Sequence, residues 1–289
     1  MRITRLPRPS LRPFVIRLWA VDERRGQRSM IGAREHVLPT GGMHLVFRLS
    51  GEPLRLFDDD EDRHGRLLGQ AVVGGARSTF YSKDISTPTC SVGAQLRPGA
   101  PELLFGATAQ DLSHRHTPLQ DLWGSSADHA YEQLLDAGEP ERRLAQLESL
   151  LARRLPTVRG LHPAVACALE RFEELDSVHA VVKQSGYSHR HFIALFRRAV
   201  GLSPKVYARV ARFQRALRHV ASEGAASWAA IALEAGYSDQ AHFNRDFLEF
   251  AGVTPSRYRR IAPPSPCHVA MPSARHEVKF LQDARMWAG

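Results

Sequence analysis

Cysteine is scarce in this sequence, with three residues in 289, and none lies in a C-x-x-C or Cys/His spacing. Three widely separated cysteines cannot build a disulfide framework, and they offer no zinc-binding pattern. Apolar stretches are short as well, because none approaches the roughly 18 residues that span a bilayer, and the Arg-rich start lacks the apolar segment of a secretory signal. These absences predict a cytoplasmic protein.

Several signatures of catalysis are also missing. The sequence has no G-x-S-x-G nucleophile motif and neither of the Gly-rich phosphate loops, G-x-x-x-x-G-K-[ST] and G-x-G-x-x-G. Metal-dependent cupins place two His and a Glu at tight spacing on paired strands. Here His36 and His44 are not followed by an H-x-H and a Glu in that arrangement. The sequence therefore predicts no enzyme, no metal site and no cofactor.

Positive charge is in excess. Lys and Arg number 39 against 30 Asp and Glu, so the formal net charge is +9. Such a balance favours a polyanionic partner, either nucleic acid or an anionic membrane surface. The excess is densest in residues 160–262, which hold 14 Lys and Arg against 9 Asp and Glu. This concentration in one region favours DNA over a membrane partner, and it predicts association with the nucleoid.

Strand and helix patterns predict an α+β fold in four parts. Residues 1–98 alternate short apolar runs with Gly, Pro and Asp, which is typical of strands. Helical periods fill residues 99–158, and residues 160–262 look wholly helical. Residues 263–289 form a Pro/Ser-rich tail that we expect to be mobile, and Pro156 and Gly160 indicate a linker.

A leucine stripe in the 99–158 segment has spacings of three and four residues, which place it on one face of a helix. Such a stripe indicates either a core face or a seam between two copies of the chain. Its members are Leu144, Leu147, Leu151 and Leu155.

An internal repeat lies within the basic region. The segment GYSHRHFIALFRRAVGLSPKVY, from Gly186, aligns with GYSDQAHFNRDFLEFAGVTPSRY, from Gly236. Each copy has the pattern of a helix-turn-helix, in which the Gly permits a sharp turn and the next helix buries Phe at spacings of three, four and seven. The opposite face of that helix would be presented to a groove of DNA.

The polar residues on those outer faces suit base readout. Arginine matches guanine O6/N7, while Asn and Gln match adenine N6/N7. Arg190 on the first helix, and Gln240, Asn244 and Arg245 on the second, are therefore candidate base contacts. The alternative for Arg245 is an ion pair with Asp246, Glu249 or another acid on the helical surface.

Phosphate contacts are predicted at the ends of the repeats and between them. Ser203 and Thr254 precede Pro204 and Pro255 as helix caps, and helix N-termini bind anions. A purely structural cap is the rival interpretation. The helix between the copies carries a basic stripe, which indicates either contact with phosphate or salt bridges to the other domain. Its members are Lys205, Arg209, Arg212, Arg215 and Arg218.

The repeat resembles the double helix-turn-helix of AraC/XylS-type bacterial transcriptional regulators over about 100 residues, most specifically in AGYSDQAHFNRDFLEFAGVTPSRYRR. The resemblance implies seven helices with recognition helices near 189–200 and 239–251. Carried over by position, the base contacts of that family fall on Arg190, Ile193, Ala194, Gln240, Asn244 and Arg245. Ile193 and Ala194 can touch thymine methyl groups but cannot hydrogen-bond a base. Directional readout by the first helix is therefore expected to rest on Arg190, with Arg197 on phosphate.

The first half resembles an uncharacterised cupin-like sensor domain of such regulators, in LRPFVIRLW, HVLPTGGMHLVFRLSG, VVGG, VGAQLRPGAPELLFG and PLQDLWG. That resemblance implies a small β-barrel followed by helices that dimerise or relay a signal, with no known ligand. The whole chain is then predicted to be a transcriptional regulator of double-stranded DNA, whose two recognition helices enter successive major-groove segments.

The further partners implied are an unknown small-molecule effector, a second copy of the chain and, for an activator, RNA polymerase.

Two alternative functions remain open at this point. One is a cupin-type metal enzyme that its helical half tethers to DNA, and the other is a constitutive architectural DNA binder.

Overall fold

The computed structural model describes residues 1–22, 32–59, 61–155, 161–174, 177–222, 227–263 and 265–271. These residues form a β-rich amino-terminal region and a helical carboxy-terminal region, which confirms the predicted α+β class. No helix in the described part of the chain is long and apolar enough to cross a membrane. The predicted linker at 156–160 lies outside the described residues.

Six antiparallel strands form the first sheet, in the order β1-β2-β9-β4-β7-β10. Along β4 the side chains of Met43, Leu45 and Phe47 are buried against the helices, while His44 and Val46 face the other way. This alternation follows from the two-residue period of a strand. The six strands are β1 (Arg2–Arg5), β2 (Val15–Asp22), β4 (Met43–Arg48), β7 (Ala71–Gly74), β9 (Cys90–Leu96) and β10 (His116–Pro118).

Five strands form the second sheet, in the order β11-β3-β8-β5-β6. One face of this sheet packs on the carboxy-terminal helices, because Val269 belongs to their hydrophobic core. The other face looks towards the first sheet. The five strands are β3 (Arg34–Val37), β5 (Arg55–Phe57), β6 (Arg66–Leu67), β8 (Tyr81–Asp84) and β11 (His268–Met271).

The predicted small β-barrel is not closed. Among the described residues no strand pair connects the two sheets, so the β domain has two sheets with free edges. The cupin-like assignment stays a prediction.

Two strands also fall outside the 1–98 segment predicted to hold them. One is β10, and the other is β11, which pairs with β3 although it belongs to the 263–289 tail that was expected to be mobile. Residues 268–271 of that tail are therefore part of a sheet, and residues 272–289 lie outside the described part of the chain.

The leucine stripe is a core face. Leu144, Leu147 and Leu151 have no exposed surface and pack with the apolar face of the first sheet, and Leu155 packs against the same cluster. The stripe therefore stabilises the amino-terminal domain rather than presenting a seam to a second copy. The helices around this core are α1 (Ala100–Phe105), α2 (Ala109–Leu112), α3 (Gln120–Trp123), α4 (Ser125–Asp136) and α5 (Pro140–Arg154).

Over its described residues, the carboxy-terminal region has the seven helices that the resemblance implies. The helices of the first repeat pack around Phe172, Phe192 and Phe196, and those of the second around Phe213, Phe243 and Phe247. The seven are α6 (Pro163–Glu173), α7 (Val178–Gln184), α8 (His189–Val200), α9 (Pro204–Ser222), α10 (Trp228–Glu234), α11 (Gln240–Ala251) and α12 (Pro255–Ile261).

Candidate nucleic-acid interface

The first repeat forms a helix-turn-helix from α7 and α8. Ser177 accepts the N–H of Ala180 and so caps α7, and Ser188 accepts the N–H of His191 and caps α8. Between them Gly186 has φ of +73°, a left-handed conformation that L side chains adopt only at a cost. These local features end one helix and start the next within a few residues.

The second repeat builds the same motif from α10 and α11. Ser227 caps α10, and Gly236 turns the chain with φ of +87°. Asp239 caps α11 by accepting the N–H of His242 at 2.7 Å, while the Ser238 hydroxyl donates to Asp239. Because an acidic side chain near a helix N-terminus is favourable, Asp239 suits this position better than Ser238.

Each recognition helix is fixed by a strip of aromatic and aliphatic residues. Phe192 and Phe196 of α8, and Phe243, Phe247 and Phe250 of α11, have no exposed surface. Because each strip is buried at spacings of three and four, the opposite face of each helix must point outwards.

All six candidate base contacts lie on those outward faces. Arg190 and Ala194 are exposed on α8, where Ile193 is half-buried, and Gln240, Asn244 and Arg245 are exposed on α11. Two of the acids that could have paired with Arg245, Asp246 and Glu249, contact Arg209 instead. Base contact by these six residues stays a prediction.

The candidate phosphate contacts divide into exposed and engaged residues. Arg197 and Lys205 are exposed, in keeping with a phosphate role. Ser203 and Thr254 each accept a backbone N–H, from Val206 and from Arg257, both at 3.3 Å. These two hydroxyls therefore serve as helix caps.

Arg209 does not have the position expected of a phosphate contact. Its Nη2 lies 2.7 Å from an oxygen of Asp246 and 2.7 Å from an oxygen of Glu249, so it joins α9 to α11. Hydrogen bonds to Glu249 and Asp246 raise the pKa of Arg209. The guanidinium is drawn inwards because Asp246 is only 3% exposed, and a buried carboxylate needs a counter-charge.

Arg212 is also turned towards the second repeat, where its guanidinium lies 5.2 Å from the centre of the Tyr237 ring. Two members of the expected basic stripe, Arg209 and Arg212, thus contact the second repeat within the protein.

The carboxy-terminal end of α8 is docked on the amino-terminal domain. The N–H of Gly99 donates to the carbonyl of Ala199 at 2.8 Å, and Arg198 forms an ion pair with Glu102. Gly201, at the end of α8, packs so closely that a Cβ there would lie 2.7 Å from the carbonyl oxygen of Ala109. The first recognition helix is therefore held by α1 and α2.

The end of α11 is docked in the same way on the second sheet. The Nδ1 atom of His36 lies 3.1 Å from the carbonyl oxygen of Ala251, and the His36 ring stacks on Phe80 with ring centres 4.2 Å apart. A Cβ on Gly252 would meet that Phe80 ring at 2.6 Å. No local sequence signal indicates these contacts, because they join residues about 200 positions apart.

Two further contacts tie the helical region to the β domain. The side-chain amide of Gln214, on α9, donates to the carbonyl of Pro39 at 2.7 Å. After α12, the Tyr258 hydroxyl donates to the carbonyl of Pro266 at 2.8 Å, just before the chain enters β11. The strand that follows the last helix thus returns to the amino-terminal domain.

No group of three or more His, Cys, Asp and Glu side chains that could hold a metal ion occurs within the described ranges. His36 is instead occupied with Phe80 and Ala251, and His44 lies beside His116, with ring centres 5.8 Å apart.

Comparison with known proteins agrees with the geometry of the repeats. Residues 181–261 match the family described as "Helix-turn-helix domain". A protein of Haemophilus influenzae described as an uncharacterized HTH-type transcriptional regulator is 29% identical over 102 residues, which is 35% of this chain and 34% of that protein. Residues 181–261 form a helix-turn-helix domain. The chain spans about a third of the length of this curated relative.

Residues 3–118, ahead of the helix-turn-helix domain, match a "Domain of unknown function (DUF6597)". Solved structures with a similar arrangement include ToxT from Vibrio cholerae O395 bound to (E)-4-(8-methylnaphthalen-1-yl)but-3-enoic acid. It is 9% identical, with 80% of this chain and 97% of that chain covered and a TM-score of 0.46. Unsaturated fatty acid bound wild-type ToxT from Vibrio cholerae strain SCE256 is 11% identical, with 88% and 96% covered and a TM-score of 0.42.

Proposed function

We propose that this chain is a transcriptional regulator, rather than an enzyme, that reads double-stranded DNA through α8 and α11. The proposal rests on one observation: two helices of the same motif each present an exposed, mostly polar face while burying the opposite one. Arg190 and Arg245 suit guanine, and Gln240 and Asn244 suit adenine. Arg197 and Lys205 supply sequence-independent attraction to phosphate, which fixes the register of the protein on the duplex.

The arrangement of the two helices suggests the length of the operator. Because α9 is a continuous helix between the repeats, it holds the two recognition helices at a fixed separation. They would enter successive major-groove segments on one face of the duplex, about 34 Å apart.

The test is an unbiased selection of duplexes from a random pool by the full-length protein at about physiological salt. We expect enrichment of two short motifs separated by roughly one helical turn. Salt-sensitive retention without enrichment would contradict sequence-specific reading and favour an architectural DNA binder.

We further propose that the amino-terminal domain modulates this binding. It touches the carboxy-terminal ends of both recognition helices, at Ala199 and Gly201 for α8 and at Ala251 and Gly252 for α11. The outer faces of the two helices stay exposed. A change in the β domain, caused by an effector or by pairing with a second copy, would therefore alter the relative position of α8 and α11 and so the affinity for DNA. For an activator, RNA polymerase is the further partner.

The docking of α8 predicts different effects for two equivalent glycine substitutions. Gly201→Ala and Gly186→Ala both place a side chain at positive φ, but only the Cβ at 201 meets a backbone oxygen, that of Ala109. We expect both variants to lose about 1 kcal/mol to backbone strain, and Gly201→Ala to lose at least about 1 kcal/mol more through overpacking. Urea denaturation of the two full-length variants measures the difference. Equal losses would mean that the docked contact contributes nothing to stability.

A further inference from the structure

The strand β11 has two sides that lie in different domains. It pairs with β3 so that Ala270 lies opposite Glu35 and Val269 lies opposite His36. Directly paired residues of antiparallel strands project on the same side of a sheet, and successive residues project on opposite sides. His268 therefore shares the side of Glu35, and Val269 shares the side of His36.

The side of β11 that carries Val269 belongs to the second repeat. Val269 has no exposed surface and lies in the hydrophobic core that contains Phe213 and Phe243. Leu38, which directly follows β3, is buried in the same core, and Phe80 packs against it. The second helix-turn-helix thus completes its core with side chains from the β domain and from the strand that follows its last helix.

The core of the first repeat is built differently. Its buried and partly buried members all lie between Leu161 and Ala208, as far as the described ranges extend. The amino-terminal domain meets this repeat at the end of α8, where the N–H of Gly99 donates to the carbonyl of Ala199. The two repeats therefore differ in how far their cores depend on the rest of the chain.

The other side of β11 is held by charge. Oε2 of Glu35 lies 2.7 Å from Nζ of Lys83, on β8, and 3.0 Å from Nδ1 of His268. Burial raises the pKa of Glu35, but Lys83 and His268 lower it to about 2, so the carboxylate is charged near pH 7. Because a largely buried carboxylate needs its partners, this contact fixes β11 to the middle of the second sheet.

The backbone ladder between β3 and β11 is short. It has four residue pairs, from His268 opposite Val37 to Met271 opposite Arg34. The N–H of Leu38 adds one further bond, to the carbonyl of Cys267 at 2.9 Å. Since a short strand at the edge of a sheet is only marginally stable by its backbone bonds, the contacts on both of its sides are needed to keep β11 in place.

We infer that β11 couples the second sheet to the second helix-turn-helix. Its pairing with β3 positions Val269, and the burial of Val269 in the core of the second repeat in turn holds β11 on the sheet. A disturbance of the sheet around Glu35 therefore loosens α10–α12 and leaves α6–α8 unchanged. Only the consequence that DNA reading by α11 responds more than reading by α8 rests on the proposed function.

Hydrogen–deuterium exchange of the full-length protein, followed by mass spectrometry, tests the coupling. Val269→Ala removes two buried carbon atoms, and we expect exchange in α10–α12 and in β3 to accelerate about tenfold. Val165→Ala is the matched control, because Val165 is equally buried in the core of the first repeat. It should accelerate exchange in α6–α8 and leave α10–α12 and β3 at the parent rate.

Glu35→Gln tests the coupling from the other side of the strand. The amide keeps nearly the same shape but lacks the charge that holds Lys83 and His268, and residue 35 projects away from the second repeat. We expect exchange in α10–α12 to accelerate about threefold or more, because a hydrogen bond to a charged group is lost. Glu132→Gln, at an exposed acid on α4, should leave every segment at the parent rate.

The inference is overturned if Glu35→Gln leaves α10–α12 at the parent rate, or if Val269→Ala accelerates α6–α8 as much as α10–α12. Circular dichroism shows whether each variant folds, and Glu35→Gln decides the matter if Val269→Ala does not fold. The duplex selection is independent of this result, because exchange is followed without DNA. Enrichment of motifs with unchanged exchange would remove this inference alone, and the expected exchange without enrichment would remove the proposed DNA function alone.

Discussion

Replacing Arg209 with alanine is expected to destabilise the folded chain by about 3 kcal/mol, the low end of the range for breaking a buried ion pair. The substitution would leave Asp246, which is 3% exposed, without the guanidinium that contacts it at 2.7 Å. The low end applies because the Arg209 side chain keeps 28% of its surface exposed and solvent screens part of the interaction.

Urea denaturation of the full-length protein measures this loss. Lys205→Ala serves as the control, because Lys205 is an exposed cation at the start of the same helix and should change stability by no more than about 0.5 kcal/mol. Adding Asp246→Asn to the Arg209→Ala chain should recover part of the loss, since a buried amide costs less than a buried carboxylate. If Arg209→Ala were as stable as the parent and bound all duplexes more weakly, Arg209 would instead contact DNA phosphate.

The second large effect is expected on DNA. Arg245→Ala should weaken binding to the selected duplex by about 1–3 kcal/mol and relax the preference at one base pair, because a bidentate arginine contact to guanine would be lost. Arg245 is exposed on the outward face of α11, whose inward face is fixed by Phe243 and Phe247, so the fold should tolerate the change. Fluorescence anisotropy titrations with the selected duplex and with random duplexes measure both quantities.

Arg142→Ala is the matched control for that titration. Arg142 is an exposed arginine on α5, in the amino-terminal domain, so this variant removes the same charge far from α11. It should bind both duplexes as the parent does. If Arg245→Ala weakened selected and random duplexes to the same extent, Arg245 would contact phosphate and not a base.

The helix-turn-helix pair could be predicted from the sequence because each of its determinants is local. The spacing of Phe192 and Phe196, the caps at Ser188 and Asp239 and the turn at Gly186 all act within a few residues of one another. Helical periodicity converts such spacings directly into faces, so the outward position of Arg190 and Arg245 followed without knowledge of the rest of the fold.

The β domain was predicted less completely, since strand pairing joins residues that are distant in the chain. The runs around β2, β4 and β9 were recognisable as strands, but their order in the sheet and the existence of two open sheets were not. A strand of only four residues such as β11, in a Pro/Ser-rich segment, carries too weak a pattern to indicate its partner β3.

The class of the fold, the duplicated helix-turn-helix and the outward faces of its recognition helices could be predicted because they depend on residue spacing within single strands and helices. The contact of Arg209 with Asp246 and the return of β11 to the first domain could not be predicted in this way. These features depend on which distant segments come together, and that is set by the packing of the whole chain.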